Sequence, residues 1–419
     1  MDARRGCFIR SSVNVDRTPT ITLSSSSPML SQWVPIHHSA SPKKTVLRLK
    51  WSRTEKLKIE HQQKKNSIVR SGETISSWGF AERIGGKGAN AAVAISKAGG
   101  HVYFSGLIDN QSNWLKEILR GFGVDVDGLK ICDGSSKVQL ALLSLNPIPS
   151  AHPQGDPLTR HLPTGRAIIQ VSHETGENAI ILVPGTNHAP PQFWPELESI
   201  LIPTKYSHVL LQNEIPMAQT VLTSKTAHSL GITTIFNPSP LPSLDEVKEV
   251  VDWSCIDWLV VNEEEARMLR DRATTRNRTN DQLEHDQITE LDQELEVLQD
   301  LISLSLATFS IVITLGSRGS LLAFRRNSSL WTGFHTPASP GNRPVVNTTG
   351  AGDCFTGFLV AELIRLETDQ IPRDHLLEKL KQSMQVANQA ARLCVETHGT
   401  IDSYPSLEEV KTHLLSNKS

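Results

Sequence analysis

The sequence lacks the features that define several classes of protein. No stretch approaches the roughly 18 unbroken apolar residues of a membrane-spanning helix. The start, Met1 to Gly6, is not followed by the apolar segment of a secretory signal. The five cysteines are widely spaced and form no C-x-x-C pair, which argues against a disulfide framework or a structural zinc site. We therefore expect a soluble protein of the cytoplasm, with the nucleus as a second location.

An excess of charge of one sign is also absent. The chain carries 42 Lys and Arg against 44 Asp and Glu, for a formal charge of −2. This balance argues against a dedicated nucleic-acid binder. We expect neither nucleic acid nor a membrane as a partner. The length of 419 residues is sufficient for two or three domains around a large buried core.

Short apolar runs alternate with helical periodicity from Ala81 onward, which is typical of βα units and a parallel sheet. The runs are rich in β-branched side chains and bounded by polar or turn residues, so we predict buried parallel strands. They are Val209–Leu211, Thr233–Phe236, Trp258–Val261 and Ile311–Thr314. Further along, Ile288, Leu291, Leu295, Leu298 and Ile302 recur at helical spacing. The run is too short for a coiled coil, which favours a helix packed on the sheet.

Other segments depart from this pattern. Residues 137–145 and 167–183 show polar alternation, which suggests an antiparallel flap outside the main sheet. Residues 147–163 and 270–281 are polar inserts, and we predict exposed loops there. Residues 21–70 combine a Ser run, prolines and a basic, Gln-rich stretch, which indicates a disordered insertion. A basic interaction patch and non-coding sequence kept in the gene model are the alternatives for this segment.

The sharpest chemical signal is Asn347–Asp353, with the sequence N-T-T-G-A-G-D, followed by an apolar helix. Small residues at a helix start let a ligand approach backbone N–H groups, which can hold developing negative charge. The neighbouring carboxylate of Asp353 can take a proton. The alternative interpretation is an ordinary loop-to-helix cap.

A second motif, Gly85–Asn90, has the sequence G-G-K-G-A-N and precedes an Ala-rich helix. The glycines permit a hinge and a close approach, Lys87 supplies a cation and Asn90 a polar amide at the helix start. The spacing of a Walker A motif is absent. On its own, this segment could also be a plain turn and cap.

Together and in this order, the two motifs resemble the signatures of the ribokinase, or PfkB, family of carbohydrate kinases. The resemblance continues through Ser12–Asp16, Gly72–Thr74, Gln212–Glu214, Phe236–Pro238, Asn262–Glu265, Thr314–Gly319 and Asn388–Ser403. It implies a three-layer α/β fold, with a doubly wound, mostly parallel sheet and a small β lid. The first core strand would lie in residues 1–20, the lid in 72–84 and 137–183, and the rest of the core in 85–136 and 184–419. It also implies a possible homodimer formed through the lid.

The resemblance assigns roles to individual residues. Asp353 would be the catalytic base, with Gly350, Ala351 and Gly352 as the anion hole. Asp353 would also contact the sugar. The other sugar-binding residues would be Asn14, Asp16, Gly86, Lys87, Gly88, Ala89, Asn90 and Glu214. The nucleotide, besides Gly352 and Asp353, would contact Asn262, Thr314, Leu315, Gly316, Ser317, Arg318, Gly319 and Asn388.

Two metal sites follow from the same resemblance. Asn262 and Glu265 match an N-x-x-E motif that organises Mg²⁺ through water. A monovalent cation, K⁺, would lie beside the anion hole at Asn347, Thr349, Cys394, Thr397, Gly399 and Ser403. The family commonly has Asp at the position of Asn347, so we expect K⁺ activation to be weakened or lost.

The implied activity is ATP-dependent phosphorylation of D-ribose at O5. A kinase for another small sugar or a nucleoside is the first alternative. The second is a non-catalytic, sugar-binding regulatory relative.

Overall fold

The computed structural model describes residues 22–23, 44–48, 52–59, 77–132, 162–172, 178–247, 251–273, 290–303, 309–325, 331–339, 341, 343–369 and 373–416. Several predictions from the sequence lie outside these residues. They are the first strand with Asn14 and Asp16, residues 72–76 of the lid, the flap segment 137–145, most of the insert 147–163 and residues 274–281 of the predicted loop.

The described strands form two sheets. In chain order the strands are β1 (Thr22–Leu23), β2 (Lys44–Arg48), β3 (Ser52–Ile59), β4 (Ser77–Gly85), β5 (Val102–Ile108), β6 (Asp125–Ile131), β7 (Arg166–Ser172), β8 (Asn178–Val183), β9 (Tyr206–Gln212), β10 (Thr233–Asn237), β11 (Trp258–Asn262), β12 (Ser310–Thr314), β13 (Ser320–Arg325) and β14 (Trp331–Thr336). The larger sheet has ten strands in the order β1-β14-β13-β12-β11-β10-β9-β2-β5-β6. Only β13 runs antiparallel to its neighbours. The smaller sheet has the order β4-β3-β7-β8.

Helices cover both faces of the larger sheet. They are α1 (Lys87–Lys97), α2 (Trp114–Gly121), α3 (Leu197–Ile200), α4 (Met217–Ser229), α5 (Glu263–Ala273), α6 (Glu290–Ser303), α7 (Ala351–Thr368), α8 (Arg373–Val395) and α9 (Leu407–Ser416). No described helix is long and apolar enough to cross a bilayer.

Successive side chains of the central strands enter two separate hydrophobic clusters. Leu210 and Val260 join the cluster that contains residues of α1, α7 and α8. Their neighbours Leu211 and Leu259 join the cluster that contains residues of α4, α5 and α6. Side chains alternate between the faces of a strand, so a sheet covered on both sides needs apolar residues at nearly every position. This arrangement confirms the predicted three-layer, mostly parallel α/β fold.

The four apolar runs singled out in the sequence are strands β9, β10, β11 and β12, and the predicted parallel pairing is confirmed. The helix predicted from Ile288 to Ile302 corresponds to α6 from Glu290 onward, since Ile288 lies outside the described residues, and Leu298 is fully buried on the sheet side. The predicted loop 270–281 is wrong at its start, because α5 continues through Ala273. The apolar face of this helix includes the buried residues Ala266 and Leu269.

The prediction that residues 21–70 are a disordered insertion is wrong for three segments, β1, β2 and β3. Strand β1 pairs in parallel with β14 at the edge of the larger sheet. Strand β2 lies inside the larger sheet and pairs in parallel with both β5 and β9. Strand β3 lies inside the smaller sheet and pairs with β4 and β7. β2 and β3 each have a neighbouring strand on both sides, so their backbone groups are satisfied by the ladders whatever the composition of the side chains. The charged composition of Ser52–Ile59 is therefore compatible with a strand, although it does not predict one.

The smaller sheet gathers the segments predicted to form a lid. β4 covers most of the predicted segment 72–84, and β7 and β8 form the antiparallel pair expected within 167–183. Strand β3, which was not predicted, lies between them. β4 ends at Gly85, and Gly86 alone separates it from α1, so this sheet is connected closely to the start of that helix.

Candidate active site

Two helices begin at glycines with left-handed backbones, and their starts meet. Gly86 has φ 94° before α1, and Gly350 has φ 83° before α7. The two helices pack tightly, because a Cβ atom at Gly357 would overlap Ala94 of α1. This close approach brings together the two sequence motifs, which are far apart along the chain.

Asp353 lies in the first turn of α7 and is only 6% exposed. Its Oδ2 accepts a 2.8 Å hydrogen bond from Nδ2 of Asn90 in α1. Its Oδ1 lies 3.7 Å from Nζ of Lys87. The carboxylate is thus held by one amide and one ammonium group, both from the glycine-rich motif. The predicted grouping of Lys87, Asn90 and Asp353 is present.

Lys87 also connects this site to the end of β9. Its backbone N–H donates to Oε2 of Glu214 at 3.0 Å, and the Glu214 side chain is buried. Burial lowers the pKa of Lys87, but the carboxylates of Asp353, Glu214 and Glu265 together raise it above its usual value. Lys87 therefore stays protonated, and three acidic residues converge on its ammonium group.

The N-terminus of α7 has room for a ligand. The backbone of Gly350 requires glycine, since its φ is positive and a Cβ would lie 2.6 Å from Thr400. Gly352 has no such constraint, because a Cβ there would meet no heavy atom within 4 Å. Gly352 is exposed, so the space beside it is accessible to a ligand.

The N–H groups at this helix start differ in their partners. Ala351 N–H donates to the Thr348 carbonyl at 3.2 Å, and Cys354 N–H donates to Gly350 at 2.8 Å. Gly352 and Asp353 occupy positions that have no carbonyl four residues earlier within the helix. Of the predicted anion hole Gly350–Gly352, the available donors are thus the N–H of Gly352 and that of Asp353 itself.

Tyr404 is part of the site and was not predicted. Its hydroxyl donates to the Gly350 carbonyl at 3.2 Å. Burial raises the pKa of Tyr404 well above its usual value, and the nearby Asp353 carboxylate adds to this. The phenol is therefore a permanent donor that fixes the turn before α7. It follows the matched tail segment by one residue, in a chain with only three tyrosines.

The N-x-x-E segment forms a reciprocal cap at the start of α5. Asn262 N–H donates to Glu265 Oε2 at 3.0 Å, and Glu265 N–H donates to Asn262 Oδ1 at 2.8 Å. The described residues contain no cluster of three or more His, Cys, Asp or Glu that could enclose a metal. One half-buried carboxylate therefore fits Mg²⁺ held through water and substrate phosphates rather than by a protein cage.

The loop Thr314–Gly319 joins β12 to β13 in a tight turn. Leu315 N–H donates to the Gly319 carbonyl at 2.8 Å, and Gly319 has φ 97°. The Arg318 side chain extends from this loop to α5, where it forms an ion pair with Glu263, the first residue of that helix. The loop is therefore tied to the helix that carries Glu265.

The side chain of Asn388, a predicted nucleotide contact, has hydrogen-bond partners within the protein. Its side chain is buried, and Nδ2 donates to the carbonyls of Thr336 and Pro337 at 3.1 and 3.3 Å. Its Oδ1 accepts from Ser320 at 3.1 Å. The side-chain amide therefore bonds to backbone carbonyls after β14 and to Ser320, the residue that follows the Thr314–Gly319 loop.

The six residues predicted to hold K⁺ lie together, but Asn347 is already engaged. Its Oδ1 accepts from Thr349 N–H at 3.0 Å, and its Nδ2 donates to the Gly399 carbonyl at 2.9 Å. The backbone N–H of Thr349 can only donate, which fixes the amide orientation. An N–H group thus occupies the position where a cation would meet the carbonyl of Gly399. The residues do not fit a bound K⁺ at this point.

The remaining members of this group are also engaged. Cys394 Sγ lies 3.2 Å from the Ser403 hydroxyl, which donates to the Thr400 carbonyl at 2.7 Å. Thr397 N–H donates to the Cys394 carbonyl at 3.3 Å. The cluster is a hydrogen-bonded loop junction beneath the start of α7.

Comparison with known proteins agrees with this geometry. The profile of the pfkB family carbohydrate kinases matches residues 157–407. The chain belongs to this family.

Several of its relatives are ribokinases. The Schizosaccharomyces pombe ribokinase is 27% identical over 342 residues, which are 81% of this chain and 89% of that protein. The Arabidopsis thaliana ribokinase is 28% identical over 354 residues, 82% of this chain and 75% of that protein. The crystal structure of ribokinase from Cryptococcus neoformans var. grubii serotype A in complex with ADP superposes with a TM-score of 0.66. It is 30% identical and covers 88% of this chain and 99% of that one.

Proposed function

We propose that this protein is a ribokinase, which transfers the γ-phosphoryl group of ATP to O5 of D-ribose. The observation that carries the proposal is the buried Asp353 carboxylate, held by Asn90 and Lys87 at a helix start with open space beside Gly352. The ribokinase relatives support the choice of ribose as the sugar.

Asp353 accepts the proton of the sugar hydroxyl as that oxygen attacks phosphorus. The N–H groups at the start of α7 and the ammonium of Lys87 stabilise the charge on the transferred phosphoryl group. Phosphoryl transfer needs alignment and charge stabilisation more than covalent chemistry. One base and a set of fixed donors are therefore sufficient.

One acceptor near Asp353, the side-chain oxygen of Asn90, has no donor within the described residues. Asn90 Oδ1 is buried and has no hydrogen-bond partner among the described residues, although its Nδ2 is engaged. A buried unsatisfied acceptor is costly. A ribose hydroxyl donating to Asn90 Oδ1 would satisfy it, and the buried carboxylate of Glu214 offers a second acceptor for the sugar.

Mg²⁺ would be held through water by Glu265, with Asn262 capping the same helix, and when bound it supplies charge neutralisation for the phosphates. For the monovalent cation, in contrast, we propose that no K⁺ is bound at this position. The amide of Asn347 takes the place of K⁺ at the Gly399 carbonyl, so catalysis does not require K⁺.

We also propose that the protein resides in the cytoplasm. We propose a homodimer formed through the smaller sheet, because its edge strand β8 exposes consecutive apolar side chains, Ile181 at 54% and Leu182 at 46%. Replacing Leu182 with Lys should then yield monomers in light scattering, whereas an unchanged mass would exclude this edge.

A coupled ADP-release assay tests the activity. The purified protein is given ATP and Mg²⁺ with ribose, fructose, adenosine or no sugar. Ribose should give the highest kcat/KM, with little ADP released when no sugar is present. Preference for fructose or adenosine would favour the first alternative, and no release with any of them would favour a non-catalytic relative.

A further inference from the structure

Four charged side chains form a closed ring behind the nucleotide loop. We call Glu263, Arg267, Glu294 and Arg318 the charge ring. Arg267 Nη1 lies 2.7 Å from Glu263 Oε1, and Arg267 Nη2 forms an ion pair with Glu294 Oε1. Arg318 Nη2 forms an ion pair with Glu263 Oε2 and lies 3.7 Å from Glu294 Oε1. Acidic and basic groups alternate around the ring, so its charges balance.

The ring joins three separate elements. Glu263 and Arg267 belong to the first turns of α5, the helix that also carries Glu265. Arg318 belongs to the turn between β12 and β13. Glu294 comes from α6 and is the most deeply buried member, with a side-chain exposure of 0%. A buried carboxylate is costly unless it is paired, so its two arginine neighbours must keep their positions.

We propose that the charge ring fixes the spacing between the 315–319 loop and the start of α5, and that Glu294 is thereby a positioning residue for the nucleotide. This inference rests on the proposed function, in which Glu265 holds the Mg²⁺ of ATP, and on the nucleotide contacts predicted for the loop. Within the ring, Glu294 pairs with Arg267 and Arg318, and neither arginine belongs to the sugar-side group Lys87, Asn90, Glu214 and Asp353. Its effect should therefore fall on nucleotide affinity.

The backbone of Arg318 explains how the ring acts on the loop. Arg318 N–H donates to the Leu315 carbonyl at 3.1 Å, and the Arg318 carbonyl lies 2.8 Å from Nε2 of His335. The residue is thus fixed at its backbone within the turn and at its side chain against α5. When Glu294 is removed, Arg318 and Arg267 lose a shared anchor, and the turn can shift relative to α5. Displacements of about 1 Å are sufficient to cost roughly 10²-fold in an aligned site.

The test is calorimetric titration of the full chain with ADP and, separately, with ribose. The variants are Glu294→Ala, Glu294→Gln, Arg318→Ala and the double variant Glu294→Ala/Arg318→Ala. We expect Glu294→Ala to weaken ADP binding about tenfold or more, with ribose affinity unchanged. Glu294→Gln, which keeps the shape and one acceptor, should recover part of the loss. The double variant should bind ADP about as well as Arg318→Ala alone, because both changes break one network.

Glu117→Ala is the matched control, since it breaks the exposed pair of Glu117 with Arg120 on α2. Melting curves identify any variant that fails to fold, and Glu294→Gln then carries the test. Unchanged ADP affinity, equal weakening for ADP and ribose, or additive losses in the double variant would each overturn the proposal. Failure of the proposed function is distinguishable, because it appears in the wild type as absent ribose phosphorylation, whereas the ring is tested by binding alone.

Discussion

The Asn90 side chain donates to Asp353 across the packed starts of α1 and α7, at 2.8 Å. One hydrogen bond therefore joins the glycine-rich motif to the G-A-G-D motif. The same Asn90 side chain also presents its unpartnered Oδ1 within the buried site. Asn90 thus connects sugar binding to the orientation of the base.

Replacing Asn90 with Ala should reduce both functions. Without the amide, Asp353 loses its hydrogen-bond donor and the sugar loses one acceptor, so kcat should fall about tenfold or more and KM for ribose should rise. Steady-state kinetics with varied ribose measures both effects. Asn113→Ala, at an exposed position before α2, is the control. Wild-type kinetics in Asn90→Ala would contradict this role.

Gly352 and Gly350 should respond oppositely to alanine. At Gly352 the methyl group meets open space, so the free energy of unfolding should be unchanged or rise by up to about 1 kcal/mol. The methyl would, however, fill the space beside the helix N-terminus, so phosphoryl transfer should fall about 10²-fold. Denaturant unfolding and ADP-release kinetics on the same protein measure the two effects.

Gly350→Ala is the contrasting variant. Its positive φ and the close Thr400 and Tyr404 side chains should reduce stability by about 1 kcal/mol or more. A Gly352→Ala protein that is fully active, or one as destabilised as Gly350→Ala, would show that the space beside Gly352 has no ligand role.

Asn347→Asp should create a dependence on K⁺ that the wild type lacks. A carboxylate at this position would face the Gly399 carbonyl, now 2.9 Å from the amide nitrogen, with two oxygens in contact. A bound cation would relieve that repulsion. The melting temperature and kcat/KM of Asn347→Asp should therefore rise with K⁺, at constant ionic strength balanced by a bulky organic cation.

Asn347→Ala serves as the control for losing the amide without adding charge. The wild-type curves should be flat across the K⁺ titration. Wild-type activity that rises with K⁺ as steeply as that of Asn347→Asp would mean that a cation binds beside this turn despite the amide.

Val46→Pro tests whether β2 lies within the core sheet. Val46 is paired with Tyr103 of β5 on one side and Val209 of β9 on the other. Proline removes the N–H and cannot be accommodated in a central strand, so the protein should lose about 3 kcal/mol or more, or fail to fold. Val46→Ala keeps the N–H and should be much milder. Equal melting temperatures for Val46→Pro and wild type would place this segment outside the sheet.

The parts of the fold with clear periodicity could be predicted from the sequence. Strands β9 to β12 are buried on both faces, and each contains a run of consecutive apolar residues that is visible in the sequence. Strands β2 and β3 could not be found this way, because their place depends on pairing with strands distant in the chain. The polar composition of Ser52–Ile59 indicated a solvated segment instead.

The site shows the same division. The glycine motifs identified Lys87, Asn90 and Asp353, because their chemistry is local to each motif. The hydrogen bonds of Tyr404 and Asn388 join them to the carbonyls of Gly350 and Thr336, which are distant in the sequence, so no local pattern predicts them. The exchange at Asn347 was visible in the sequence, but the occupation of the Gly399 carbonyl by its amide was not.

The central claim is that the Asp353 carboxylate is the base for phosphoryl transfer to ribose. The most direct test is single-turnover transfer of labelled γ-phosphate from ATP to ribose in the wild type and in Asp353→Asn, with ADP affinity measured on both. The isosteric amide can still lie at the helix start but cannot take the proton. We predict intact folding and ADP binding, with transfer slowed about 10²-fold or more. A variant that retains more than about a tenth of the wild-type rate would contradict the account.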